Sequence, residues 1–178
     1  MEDTERYLNE APDITDFYGF RHVEFAIGHG DAVTGHPYRW ALERGAKPAD
    51  LNVAWENPGP AIERYPDWWQ IFQPTLPEEL HSTTFVTERS ISALERMAAG
   101  DRPFFLQCSY PDPHHPFSPP GKWWQAYDPN DMPEPATIDD DLSGAAKHLS
   151  LIRSWKPSKN IVQMFGANRE LVRHAMAA

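Results

Sequence analysis

The sequence predicts an α/β fold, on three observations. Residues Ser82 to Met97 carry apolar side chains mostly at helical spacing (Phe85, Val86, Ile91, Leu94, Met97), with Glu88, Arg89, Glu95 and Arg96 outside. Gly100-Asp101-Arg102 then leads into the apolar run Pro103-Phe104-Phe105-Leu106, which reads as a buried strand of a parallel sheet. Helix, short turn and buried strand make half of a parallel α/β unit. Further back, Val23, Phe25 and Ile27 alternate with Glu24 and Ala26, the pattern of a strand with one buried face.

The remaining elements run in chain order. Asp3 to Glu10 reads as a short helix stopped by Pro12. Gly28-His29-Gly30 ends the first strand, Thr34 to Pro37 is a turn, and Tyr38 to Arg44 is a short helix closed by Gly45. Residues 46 to 79 read as loop, because Pro48, Pro58, Pro60, Pro66, Pro74 and Pro77 forbid a long helix. Trp55, Trp68, Trp69 and Phe72 within it need cover, as filler beneath a long surface loop. Ser82 or Thr83 caps the long helix and Gly100 ends it. Gly121 to Tyr127 is at most two helical turns, and 128 to 135 is extended. Residues 137 to 159 are weakly patterned, with Asp139-Asp140-Asp141 read as a helix cap or solvated surface. The last segment, from Ala167, is a helix capped by Asn168, and the sequence stops while still helical, as either a natural C-terminal helix or a cut chain does.

At 178 residues the chain is long enough for one core. Its formal net charge of -10 and lack of a basic patch argue against nucleic acid. No apolar run approaches the ~20 residues of a membrane span. A single cysteine, Cys108, excludes an internal disulfide, and its place in the apolar run reads as a buried structural thiol. The single thiol and acidic composition lean toward a cytoplasmic setting, although any signal peptide would lie upstream. With 18 prolines and seven tryptophans, the chain reads as a small irregular domain or a piece of a larger one.

The chemistry centres on the segment just beyond the apolar run. Pro111-Asp112-Pro113-His114-His115-Pro116-Phe117 cannot stay in a sheet, since its prolines remove ladder donors. In open α/β sheets ligands bind beyond the carboxyl ends of the strands. Of the eight histidines, His22, His81, His148 and His174 read as structural or surface residues. His29 and His36 sit in the turns after the first strand, where a structural role outweighs the alternative of lining a cleft. The prolines flanking His114 and His115 pre-organise an inward-facing imidazole, which can donate a hydrogen bond to an anion or a proton to a leaving group. A structural loop with satisfied histidines is equally open on the residues alone. A metal site from His114, His115, Asp112 and Cys108 is disfavoured, because adjacent histidines and a strand thiol do not converge on one ion. No phosphate-binding glycine loop, Ser-His-Asp elbow or Cys-x-x-Cys pair is present.

Pro103-Phe104-Phe105-Leu106 followed by Pro113-His114-His115-Pro116-Phe117 resembles the middle of a type I sulfatase of the alkaline-phosphatase-like superfamily. Pro119-Pro120-Gly121-Lys122-Trp123-Trp124, Tyr127-Asp128-Pro129, Phe17-Tyr18-Gly19-Phe20, Val23-Glu24-Phe25 and Gly28-His29-Gly30 resemble a bacterial subgroup. The resemblance covers most of residues 15 to 135. It implies an alkaline-phosphatase-like mixed sheet flanked by helices, with long Pro/Trp-rich loops. It also implies hydrolysis of a small-molecule sulfate ester, or of a phosphodiester or phosphonate monoester. His114 matches the family histidine that contacts the ester and can assist leaving-group protonation. His115 takes the variable position beside it, as a further substrate-binding candidate.

The departures are as informative. The family nucleophile lies in a Cys/Ser-x-Pro-x-Arg motif, whereas Cys108 is followed by Ser109-Tyr110-Pro111-Asp112. The aspartate pair and the later Asp-His or Asp-Asn pair that hold the family's divalent metal, calcium, are also missing. No residue here is therefore assigned as a metal ligand. Residues 1 to 178 are expected to be the central portion of one sulfatase-like catalytic domain, lacking its nucleophile and both metal segments, and inactive alone. A non-catalytic binding module is the alternative from another class.

Overall fold

The computed structural model describes residues 12–29, 33–51, 60–66, 68–153 and 169–178. The expected helix at Asp3 to Glu10, Trp55 and the Asn168 cap lie outside the described residues. Among them the chain is α/β, with short strands in two antiparallel pairs and four α-helices.

The first pair joins β1 (Ala26–Ile27) to β2 (Thr34–Gly35), with Ala26 opposite Gly35 and Ile27 opposite Thr34. The Thr34 hydroxyl donates to the Ile27 carbonyl, which fixes this register. Gly35 passes directly into α1 (His36–Glu43). Its φ of 77° suits glycine, and a Cβ there would collide with the Phe25 carbonyl oxygen. After α1, Gly45 at φ 91° turns the chain as a C-terminal glycine does. Val33, Tyr38, Ala41, Leu51 and Leu76 form a buried cluster over which Trp40, Leu42, Ala46 and Leu80 pack. This burial is the main stabilising contribution available to so irregular a chain.

The segment read as continuous loop holds a second hairpin. β3 (Ala61–Arg64) pairs with β4 (Phe72–Pro74), with an irregularity between Ala61 and Glu63. Ile71 and Phe72 are fully buried, and the Arg64 guanidinium lies 4.1 Å over the Phe72 ring. Pro74 ends the strand, where a missing donor costs least.

The long helix α2 (Ser82–Ala98) forms where its spacing predicted. Its cap is neither hydroxyl: the His81 ring accepts from the Thr83 amide. Only its first turns are buried, through Phe85 and Val86, with Phe85 edge-on to Trp40. Ile91 and Leu94, expected on the buried face, are exposed. Arg89 reaches back to the Glu24 carboxylate with both Nε and Nη2, tying α2 to the first strand region.

The buried strand expected at Pro103 to Leu106 is not formed. A strand needs a neighbouring backbone to accept its ladder bonds, and among the described residues none runs alongside it. Instead Phe105 meets the Phe20 ring, and the chain beyond it, from Cys108 to Asp112, runs back along α2 through side-chain contacts. Ser90 Oγ donates to Cys108 Sγ at 3.0 Å, Thr87 Oγ1 and the Tyr110 hydroxyl are 2.9 Å apart, and Thr83 Oγ1 donates to Asp112 at 2.7 Å. Phe104 is 48% exposed and Phe105 74%. Cys108 is likewise an exposed thiol rather than a buried one, because the strand that was to bury it has no sheet around it.

The rest is closed by short turns and two further helices, α3 (Lys147–Arg153) and α4 (Arg169–Ala177). Leu171 and Ala177 of α4 are buried, Arg169 pairs with Glu134 and Asp139, and Arg173 also pairs with Glu134. The acidic triplet has surface and turn roles besides this. Asp140 accepts from the Leu142 amide and Asp141 from the Ser143 amide.

Candidate functional site

The loop from Pro111 to Phe117 is fixed at both ends. At its start, Asp112 Oδ2 accepts from Thr83 Oγ1 in the first turn of α2, and the His114 amide donates to the Pro111 carbonyl. At its end, Phe117 bridges in parallel to Ile71: its amide donates to the Gln70 carbonyl at 2.7 Å and its carbonyl accepts from Phe72 at 3.1 Å. Trp68 meets the Phe117 ring edge-on. The Asp112-Pro113 and His115-Pro116 peptide bonds are both cis.

Between these anchors stand the two histidines singled out by sequence, and they are together with a third. His29 stacks on His114, with ring centroids 3.8 Å apart and planes 16° from parallel. His115 lies tilted against His114 as well, at 4.1 Å. His114 Nδ1 donates to the His115 carbonyl at 2.6 Å. A carbonyl only accepts, so Nδ1 carries the proton and Nε2 is left for an incoming group. His29 is presented by the turn after β1, where Gly28 sits at φ 93°.

The electrostatics favour the neutral form of His29 and His115. Burial lowers the pKa of His29, and the charge of His114 adds to it, while Asp112 pulls the other way. Burial lowers His115 too, with the charges of His114 and His29 acting in the same sense.

His114 lines a cavity of about 740 Å3. One wall comes from the start of α2 (His81, Thr83, Thr84, Thr87), another from the loop (Asp112 to Phe117), and Trp123 and Met176 close it. His81 is 4% exposed. Its Nδ1 accepts from the Thr83 amide, so its proton sits on Nε2, which is buried without a partner. Burial lowers its pKa, against the pull of Asp112. Sequence reasoning did not single out His81 or the Thr83–Asp112 bond, and no local pattern marks them, since their meeting depends on the loop folding back on α2.

The other histidines separate from this group. His36 is structural: its Nδ1 accepts from the Phe25 amide at 2.9 Å and its Nε2 donates to the Pro12 carbonyl at 3.0 Å. His22 meets Glu24 at the surface, and His174 packs on Tyr65.

The divalent metal implied by the family resemblance finds no fit here. No group of three or more ligating side chains gathers among the described residues. The stacked imidazoles lie face to face, so their lone pairs do not converge on one ion, and calcium wants six to eight oxygens.

No family model and no solved structure matches the chain. Among curated proteins it is similar to an arylsulfatase of Clostridium perfringens, 41% identical over 80 residues, which covers 43% of this chain and 16% of the relative. It is 34% identical over 73 residues to a multifunctional alkaline phosphatase superfamily protein, PehA, of Trinickia caryophylli, covering 41% and 14%. It is 30% identical over 73 residues to an uncharacterized sulfatase, YidJ, of Escherichia coli, covering 41% and 15%. The matches thus span about one sixth or less of the length of these relatives. Over some two fifths of its length, then, the chain is similar to proteins named as sulfatases and as a member of the alkaline phosphatase superfamily.

Proposed function

We propose that this chain is the histidine-loop portion of a sulfuric ester hydrolase, in which His114 contacts the sulfate group. The supporting observation is the hydrogen bond from His114 Nδ1 to the His115 carbonyl, in a ring that lines a cavity. It orients the imidazole with its proton on Nδ1 and leaves Nε2 as an acceptor, which, once protonated, donates to an ester oxygen or protonates the departing alcohol. His115 supports that orientation through its carbonyl and packs against the His114 ring.

The divalent metal of the family would stabilise developing negative charge in such a reaction. The described residues supply no place for it, and no step is assigned to it. The chain is read as the central portion of one catalytic domain with an alkaline-phosphatase-like mixed sheet. Its exposed, unpaired Phe104-Phe105 run is what a sheet strand looks like without its neighbours. The chain alone is therefore expected to be inactive.

A second reading, hydrolysis of phosphodiesters or phosphonate monoesters, is favoured by the similarity to a relative named as multifunctional. Assaying the full-length protein on aryl sulfate and aryl phosphonate esters side by side separates the two. A preference for sulfate of at least about tenfold in kcat/KM supports the first reading, and the reverse preference supports the second. A non-catalytic module predicts no turnover of either.

A further inference from the structure

The chain that leads to His114 is tied to α2 by a ladder of side chains. Thr83 Oγ1 donates to Asp112 Oδ2 at 2.7 Å. The one proton of the Thr87 hydroxyl goes to the Thr83 carbonyl at 2.8 Å, so the Tyr110 hydroxyl is the donor across its 2.9 Å contact with Thr87 Oγ1. Ser90 Oγ donates to Cys108 Sγ at 3.0 Å. On α2, Thr83, Thr87 and Ser90 fall at i, i+4 and i+7, which is one face of a helix. On the facing chain Asp112, Tyr110 and Cys108 are alternate residues, which is one face of an extended segment. The two periods meet at three successive rungs, in opposite chain directions.

These rungs carry the alignment themselves. Among the described residues, the main chain from Phe104 to Tyr110 makes no hydrogen bond to another element. Apolar packing is non-directional and tolerates sliding of one element along another. Hydrogen bonds are directional, and a row of them selects one register. The far end of the loop is held differently, by main-chain bonds of Phe117 with Gln70 and Phe72. His114 stands between the two anchors, two residues beyond the rung at Asp112. Thr83, Thr87, Asp112 and His114 all line the same cavity.

Resting on the reading of His114 as the ester contact, we propose that Thr83 is a positioning residue for it, and that the hydroxyl face of α2 sets where the His114 imidazole stands in the cavity. Thr83 acts through Asp112, and the rung between Thr87 and Tyr110 supports it from one turn further along the helix.

The test measures kcat/KM of the full-length protein on an aryl sulfate for Thr83→Val, Thr83→Ser, His114→Ala and the double variant of Thr83→Val with His114→Ala, with thermal melts of each. Valine keeps the shape of threonine and removes the hydroxyl. Thr83→Val should lower kcat/KM by about tenfold, since displacing a reacting group by ~1 Å costs up to ~10²-fold. Thr83→Ser, which keeps the donor, should return it to within about twofold of wild type. On the His114→Ala background Thr83→Val should cost less than about twofold more, because its effect passes through the imidazole. Tyr110→Phe removes the second rung and leaves Thr83 intact. It should cost about threefold, the worth of one neutral hydrogen bond, and it carries the same cycle with His114→Ala if Thr83→Val does not fold. Thr83→Val and Tyr110→Phe both within twofold of wild type, while His114→Ala costs ~10²-fold, overturn the positioning role and leave the reading of His114 standing. An equal loss from Thr83→Val with and without His114 also overturns it, since that is a general effect on the fold. His114→Ala within twofold of wild type overturns the reading of His114 and the positioning role with it.

Discussion

The His29 imidazole lies flat on that of His114, 3.8 Å away, although 85 positions separate them in the chain. One ring comes from the turn after β1 and the other from the proline-rich loop beyond α2. Asp112 acts on His29 through charge and on α2 through Thr83.

Asp112→Asn should therefore move the His29 titration to lower pH, since the carboxylate raises the His29 pKa against the effects of burial and His114. Proton-detected titration of His29 checks this. An unchanged or upward shift would show that Asp112 does not act on the stack.

Acid should destabilise the chain through three histidines at once. His29, His81 and His115 all have folded-state pKa values below the ordinary 6.5, each with burial as the leading cause. The unfolded chain binds protons to them first, so their contribution is fully present above about pH 6.5 and is lost as pH falls through the folded values. Urea midpoints between pH 7.5 and pH 5 should fall on acidification. The His81→Gln variant should show a shallower fall than wild type.

Gly35→Ala should cost at least about 2 kcal/mol, from the positive φ and the clash with the Phe25 carbonyl. Denaturant unfolding measures it. Gly19→Ala is the control: its φ is also positive, but nothing lies within 4 Å of the added methyl, so its loss should be smaller.

Phe105 distinguishes a chain standing alone from the same residues inside a larger domain. It is 74% exposed here, so Phe105→Ala should change the stability of this chain by no more than about 0.5 kcal/mol. In the full-length protein, where the proposed sheet would bury it, the same change should cost about 3 kcal/mol or more.

What the sequence revealed depended on whether the information was local. The helix at Ser82–Ala98 and the Gly45 turn were legible because periodicity and a chain-reversing glycine act within a few residues. The loop that carries His114 was legible because its prolines mark a break from the preceding apolar run. The strand at Pro103–Leu106 was misread because apolarity describes what a segment can pair with, and no partner backbone lies alongside it among the described residues. The β3–β4 hairpin was missed because Pro66 and Pro74 drew attention to loop, while strand pairing depends on partners further along the chain. The stacking of His29 on His114 and the burial of His81 depend on tertiary packing, and no spacing in the sequence encodes them.

The most direct test of the central claim is the kcat/KM of the full-length protein for an aryl sulfate, with and without His114→Ala. Removal of a contact that holds the anion and assists the leaving group should lower it by ~10²-fold or more. A variant within about twofold of wild type would contradict the assignment of His114 to the site.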